Sequence, residues 1–176
     1  MGDSLITIVA IFLAAILMFV FPLMAMSDRT DDISQLAVQT ATTDFVDDVR
    51  NTGKLTNDKY NKFLQTLIST GNSFDVDMEL QILDENPGVK TTQAEMTKIG
   101  ENFYYTKYTT QILNELDTTT GNKITLKEGD MFSVTVKNTN QTISQTLKNF
   151  FYQLSGNETY QIVAQNAGVI SVNGSK

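Results

Sequence analysis

Residues 5 to 26 read LITIVAIFLAAILMFVFPLMAM and include no charged side chain. As an α-helix this run is roughly 33 Å long at about 1.5 Å per residue, enough to cross a hydrocarbon core about 30 Å thick. The run therefore predicts a membrane-spanning helix. A cleaved signal peptide is the alternative, but such peptides have a cationic first region and a shorter apolar stretch. The preceding residues, MGDS, contain no Lys or Arg, so the sequence favours a span that is retained.

Two features of this run carry information beyond its hydrophobicity. Ala10 and Ala14, with Ala15 beside them, form a face of small side chains that lets another helix approach closely in lipid. The same alanines are also ordinary in the composition of a membrane helix. Pro22 has no amide hydrogen, so the carbonyl of Met18 loses its helical partner and the helix is expected to bend there.

The remaining residues have the size of one ordinary domain. From Ser27 to Val49 hydrophobic residues continue at helical spacing, and neither Gly nor Pro occurs until Gly53. The membrane helix is therefore expected to run on as an amphipathic rod. The predicted divisions of the chain are a membrane helix (1–26), its amphipathic continuation (27–53) and a globular head (54–176).

The head alternates between the hydrophobic periods of helices and strands. Thr56 is a candidate N-cap for a helix whose apolar stripe runs from Tyr60 to Ile68. From Phe74 to Ile82 apolar residues alternate with polar and acidic ones, which predicts a half-buried strand closed by a turn at 84–88.

The second half of the head predicts further elements of both kinds. They are a helical stripe from Tyr105 to Leu116, a hairpin of 123–127 with 131–138, a helix from Ile143 to Leu154, and one or two closing strands over 160–172. Together these elements predict an α+β fold, in which a long N-terminal helix precedes a mainly antiparallel sheet with helices packed on one face.

Composition excludes most familiar chemistry. The chain has no His and no Cys, so it offers no imidazole base, no thiolate and no His/Cys zinc site. It also lacks nucleotide-binding glycine loops and a serine-hydrolase elbow, and we expect neither an enzyme nor a cofactor. A formal net charge of −7 disfavours nucleic-acid binding.

Three acidic residues share one face of the predicted strand: Asp75, Asp77 and Glu79. They are candidate calcium ligands. The alternative is that they form a solvated strand face.

The plan of the chain resembles that of type IV pilins. The resemblance rests on an N-terminal apolar segment with Pro22, an uninterrupted helical continuation and a C-terminal α+β head. The segments FVDDVRNTGKLTNDKYNKFLQTLISTGNSFDVDMEL (45–80) and KEGDMFSVTVKN (127–138) look like the heads of tight-adherence, TadE-like minor pilins of Gram-positive bacteria. Pilins are made with a basic leader and carry a Glu at the fifth mature position. This sequence shows no such basic leader, and Leu5 occupies the fifth position. Asp3 is the nearby carboxylate, and it either substitutes for that Glu or is simply solvated.

The resemblance implies a structural subunit of a cell-surface filament that serves adhesion. The helix is expected to anchor the protein in the membrane and then to pack against other copies, with other pilus-assembly components as further partners. Alternatives are a monomeric, single-span extracellular binding module and an accessory factor of a secretion or conjugation machine. The implied location is either the cell membrane, with an extracellular head, or the extracellular filament. The distribution of basic residues around the span points the other way, because Arg29 alone favours a cytoplasmic head. The assembly residues are expected to be Asp3, Ala10, Ala14, Ala15 and Pro22.

Overall fold

One long helical rod begins the chain and continues into the head. It comprises α1 (Gly2–Ala15), a π-helical segment (Ile16–Val20) and α2 (Phe21–Thr52). The computed structural model describes residues 2–84, 103–119, 121–142, 145–146, 149 and 161–174, with the backbone alone at residues 2 and 3.

The C-terminal end of α2 is set by Gly53. This residue adopts a left-handed conformation with φ of 60°, and its amide donates to the carbonyl of Val49 at 2.9 Å, the usual way of ending a helix with glycine. Strand β1 (Lys54–Thr56) follows and leads into α3 (Asn57–Ile68). The predicted N-cap is confirmed, because the amide of Lys59 donates to the Thr56 hydroxyl oxygen at 3.2 Å.

A four-stranded antiparallel sheet forms the centre of the head, with strand order β3-β2-β5-β6. The remaining elements are β2 (Phe74–Leu83), β3 (Tyr104–Tyr108), α4 (Thr109–Thr118), β4 (Lys123–Thr125), β5 (Met131–Asn138) and β6 (Val163–Val169). The predicted alternation in β2 is confirmed, since Val76, Met78 and Leu80 are buried while Asp75 and Asp77 are exposed. The α+β fold class is also confirmed.

The core lies between the helices and one face of the sheet, and α2 is part of it. Phe45 of α2 stacks on Phe63 of α3 with ring centroids 4.5 Å apart. Its ring also meets Phe132 of β5 edge to face at 5.7 Å. Val38 and Val46 of α2 are fully buried as well. The amphipathic continuation is therefore one wall of the head.

The predicted hairpin between 123–127 and 131–138 is wrong. Strand β4 pairs with β1 in a separate two-stranded sheet, in which Ile124 lies opposite Leu55. Strand β5 has no free edge for β4, because β2 and β6 occupy its two sides. The chain reverses at Asp130, whose carboxylate accepts hydrogen bonds from the amides of Lys127 at 2.8 Å and Leu83 at 2.9 Å.

The helical stripe predicted from Tyr105 to Leu116 begins too early. Tyr105 and Tyr108 belong to β3, where they lie opposite Ile82 and Glu79 of β2, and α4 starts only at Thr109. Aromatic and β-branched residues suit a strand surface. The pairing with β2 therefore makes this stretch a strand and not the first turns of the helix.

The end of the chain was predicted in outline. One closing strand, β6, is confirmed within 160–172. The turn after Asp84, the helix predicted over Ile143–Leu154 and Tyr160 lie mostly or wholly outside the described residues.

Candidate membrane and assembly helix

The N-terminal half of the rod has no head around it. Most large apolar side chains from Leu5 to Met26 are exposed, from 45% for Ile16 to 73% for Met18, whereas Val20 and Met24 are half-buried. The helix Ser4–Thr52 is long and apolar enough to cross a membrane, and its most apolar stretch has no buried residue within the described part of the chain. Full exposure of such a surface is costly in water but not in lipid.

The helix changes type just before Pro22. Residues Ile16–Val20 form the π-helical segment, and Pro22 is the second residue of α2. A π-helical turn contains one residue more than an α-helical turn. The π-helical segment therefore lies where the missing amide of Pro22 is predicted to disturb the hydrogen-bond ladder.

The predicted assembly residues all lie on this part of the rod. Ala10, Ala14 and Ala15 are exposed in α1, and Pro22 is exposed at the start of α2. Asp3 lies in α1, but its side chain is outside the described part of the structure. The small-residue positions are thus available to a neighbouring helix.

Between the apolar half and the core, α2 contacts the head through polar groups. Asp31 and Ser34 are buried against the head, at 1% and 4% exposure. The hydroxyl of Thr142 donates to Asp31 Oδ2 at 2.8 Å, and Gln35 Nε2 donates to the carbonyl of Val163 at 2.8 Å. Hydrogen bonds therefore hold this stretch of α2 against the head, whereas apolar packing holds the next three turns.

Asp31 is a site residue that sequence reasoning missed. Among the described residues, its Oδ1 atom and the Nε2 atom of Gln145 are buried and have no hydrogen-bond partner, which is unusual for buried polar groups. A signal was present in the sequence, because Asp31, Ser34 and Val38 occupy one helical stripe. An acid on the inward stripe of an amphipathic helix indicates a polar contact with the domain.

The candidate calcium site on β2 is not formed. Asp75 lies opposite Lys137, whose ammonium is also 3.9 Å from Asp77 Oδ2. Glu79 accepts a hydrogen bond from Gln81 at 2.9 Å. Within the described ranges no three His, Cys, Asp or Glu side chains are grouped closely enough to hold a metal ion. The alternation of acids follows from the pleat, which leaves this face to solvent and to Lys137.

Tyr60 is the titratable group whose environment is most clearly perturbed among the described residues. Its ring lies 6.5 Å from that of Phe45. Burial, and secondarily the negative charge of Asp75, raise the pKa of Tyr60 above its ordinary value of 10.0. Both effects penalise the phenolate in the folded protein.

We expect this raised pKa to make stability fall at alkaline pH. The unfolded Tyr60 loses its proton near its ordinary pKa of about 10, whereas the folded one keeps it, so stability is intact below that pH and declines as pH rises through the folded pKa. Thermal unfolding of full-length protein in detergent from neutral to strongly alkaline pH measures the decline. Tyr60→Phe is expected to show a shallower decline than wild type, and an identical decline contradicts the assignment.

A scan of protein-family models finds no match, and searches of curated proteins and of solved structures find no similar chain. The architecture itself defines a class: a chain in which one helix able to span a membrane runs on into the core of an α+β head.

Proposed function

We propose that this protein is a pilin-like structural subunit, anchored in the membrane by its N-terminal helix and assembled through that helix into an extracellular filament. The observation that carries the proposal is the division of one continuous helix. Its first half is apolar and exposed, and its second half is a wall of the head. A helix built in this way couples the anchor rigidly to the domain it carries.

The physical argument concerns the environment of residues 5–26. Lipid chains and a bundle of helices are both apolar, so moving this surface from one to the other costs little hydrophobic free energy. Close packing then decides whether helices associate, and small residues such as Ala10 and Ala14 permit it. The acidic head is left to form the outer surface of the assembly.

A single-span binding module is the second candidate, favoured by the open face of the sheet. This face, opposite the core, carries a shallow groove lined in part by Glu79, Gln81, Met131, Ser133 and Val169. Such a groove suits an extended ligand. Negative-stain microscopy of surface fractions separates the two candidates, because a subunit forms fibres and a tethered module does not.

Variants of the helix test the proposed assembly. Ala14→Leu enlarges a close-packed position and Asp3→Asn removes the carboxyl charge, so we expect each to impair assembly while the head stays folded. Overpacking of about 1–3 kcal/mol corresponds to a weakening of helix association of roughly fivefold to 150-fold for Ala14→Leu, and filament yield is expected to fall with it. Val9→Leu, which also adds bulk to α1, is the matched control and is expected to assemble normally. Unaltered yield in both test variants contradicts the proposal.

A further inference from the structure

Strand β6 forms one edge of the central sheet and lacks the features that usually protect such an edge. In the strand order β3-β2-β5-β6 its one described neighbour is β5. Its residues, VAQNAGV (163–169), include no charged side chain and no proline. Val163 and Val169 are 42% and 48% exposed. Charges, prolines and bulges normally keep sheet edges from pairing with other chains, so β6 is open to pairing.

Hydrogen bonds at the two ends of β6 show which of its backbone groups point outward. The amide of Asn138 donates to the carbonyl of Ile162 at 3.0 Å, and the amide of Ile170 donates to the carbonyl of Asp130 at 2.7 Å. Bonded and non-bonded residues alternate along an antiparallel pair, and the register between these two ends is continuous. The even-numbered residues of β6 therefore bond to β5. The odd-numbered residues turn their amides and carbonyls to the free edge.

Helix α2 uses two of these outward carbonyls, one near each end of the strand. Gln35 Nε2 donates to the carbonyl of Val163 at 2.8 Å. Arg50 Nε donates to the carbonyl of Val169 at 3.0 Å. The outward residues between them are Gln165 and Ala167. Their outward amides and carbonyls have no hydrogen-bond partner among the described residues. These groups recur about every 6.8 Å, a spacing that an extended polypeptide backbone matches.

A free acid lies beside the N-terminal end of β6. Asp32 is exposed and takes part in no ion pair within the described ranges. It precedes Gln35, the residue that bonds to Val163, by three positions. It therefore lies about 4.5 Å further along the axis of α2, rotated by about 60° from Gln35. A basic side chain at the end of a strand added to β6 can reach this carboxylate.

We propose that the free edge of β6 binds an extended segment of another polypeptide as a further strand, antiparallel to β6. The backbone of the segment supplies affinity, and β-branched residues match the exposed Val163 and Val169. Antiparallel pairing places the C-terminal end of the segment beside Val163, where a basic residue faces Asp32. This inference goes beyond the proposed function and does not depend on filament assembly.

A synthetic peptide of the same length as β6 tests the edge. The probe is TVTVTVK with fluorescein at its N-terminus and an amidated C-terminus, and fluorescence anisotropy follows its binding to the full-length protein in detergent. We expect saturable binding. The matched control is the same peptide with two adjacent central amides N-methylated, which blocks both of its edges. This control is expected to bind about tenfold more weakly or worse. Equal binding of the two peptides, or no binding by either, overturns the proposal.

Ala167→Pro tests the place of binding on the protein. Proline removes the outward amide of residue 167 but no hydrogen bond to β5, so the fold is expected to persist. We expect peptide binding to weaken about tenfold, whereas Ala167→Val, which keeps the amide, is expected to bind normally. Circular dichroism checks that each variant is folded, and the N-methylated peptide tests the same contact without altering the protein. Unchanged binding by folded Ala167→Pro overturns the assignment to β6.

Asp32→Asn tests the direction of the bound strand. We expect TVTVTVK to bind about threefold more weakly, the size of one partly exposed ion pair, while the neutral peptide TVTVTVT is unaffected. Asp44→Asn is the matched control, because Asp44 is also exposed on α2 but lies on the opposite side of the helix from Gln35. Equal losses for both peptides, or no loss for the basic one, overturn the antiparallel arrangement.

A second copy of this chain is the competing occupant of the edge. Sedimentation of the protein without peptide detects it, because self-association lost in Ala167→Pro but kept in Ala167→Val would place another copy on β6 and overturn the binding of a foreign segment. Filament assembly is expected to be unchanged in Ala167→Pro. Loss of filaments in this variant, with the head folded, would likewise overturn the proposal, whereas peptide binding without any filament supports the edge and contradicts the proposed function alone.

Discussion

Gly53→Ala is expected to lower the free energy of unfolding of the head by about 3 kcal/mol or more. The φ of 60° at Gly53 is strained for any residue with a Cβ atom. In addition, a Cβ built there would lie 2.4 Å from the carbonyl oxygen of Val172 and 2.5 Å from the amide nitrogen of Gly174. Both are backbone atoms, so the end of α2 and the C-terminal segment after β6 must separate.

Gly71→Ala is the matched control for this substitution. Gly71 also has a positive φ, of 81°, but none of the described atoms lies within 4 Å of a Cβ built there. The loss at Gly71 is expected to be limited to backbone strain, about 1–2 kcal/mol. Thermal unfolding of the full-length variants in detergent, followed by near-ultraviolet circular dichroism of the tyrosines, compares them. Equal losses at the two positions would mean that the close approach to the C-terminal segment contributes nothing.

Phe45→Ala is the second substitution with a large expected effect, about 3–5 kcal/mol. The Phe45 ring joins three elements, because it stacks on Phe63 of α3 and meets Phe132 of β5 edge to face. Its removal leaves a cavity at the point where α2 is attached to the head. The stacking partners also lose contacts beyond their buried area.

The same unfolding assay measures this loss, with Ile68→Ala as the control. Ile68 is 69% exposed, and its truncation is expected to change stability by less than about 0.5 kcal/mol. If Phe45→Ala behaves like Ile68→Ala, then α2 is not held in the head by its aromatic contacts. A variant that releases α2 would in addition show faster hydrogen exchange along that helix.

Local patterns in the sequence were sufficient for much of the fold. The apolar run, the cap at Thr56 and the alternation of β2 each depend on neighbouring residues, and each was predicted. The pairing of β4 with β1 was not, because it depends on residues far apart in sequence. A short run such as 123–127 carries no signal for its partner. Strand β4 cannot pair with β5 because β2 and β6 occupy both edges of β5. Strand β6 comes later in the sequence, so the run 123–127 alone does not reveal this.

The candidate site was predicted in composition but not in geometry. Ala10, Ala14 and Pro22 follow from the sequence, yet the phase between α1 and α2 depends on the π-helical segment. Pro22 predicts a disturbed hydrogen-bond ladder, but no residue pattern in the run specifies a π-helical turn at Ile16–Val20. The inward position of Asp31 likewise depends on Thr142, a residue 111 positions away.

The attachment of α2 to β6 has a consequence for biosynthesis. Gln35 and Arg50 of α2 donate hydrogen bonds to backbone carbonyls of β6 across 128 and 119 residues of sequence. At about 5–20 residues per second, a ribosome needs roughly 6 to 25 seconds to supply those later residues. Helix α2 is therefore made well before β6, the strand that completes its domain. During this interval α2 can pack on α3 and β5, which contact Phe45 and are made earlier, but the side of α2 that lies against β6 has no final partner until β6 is translated.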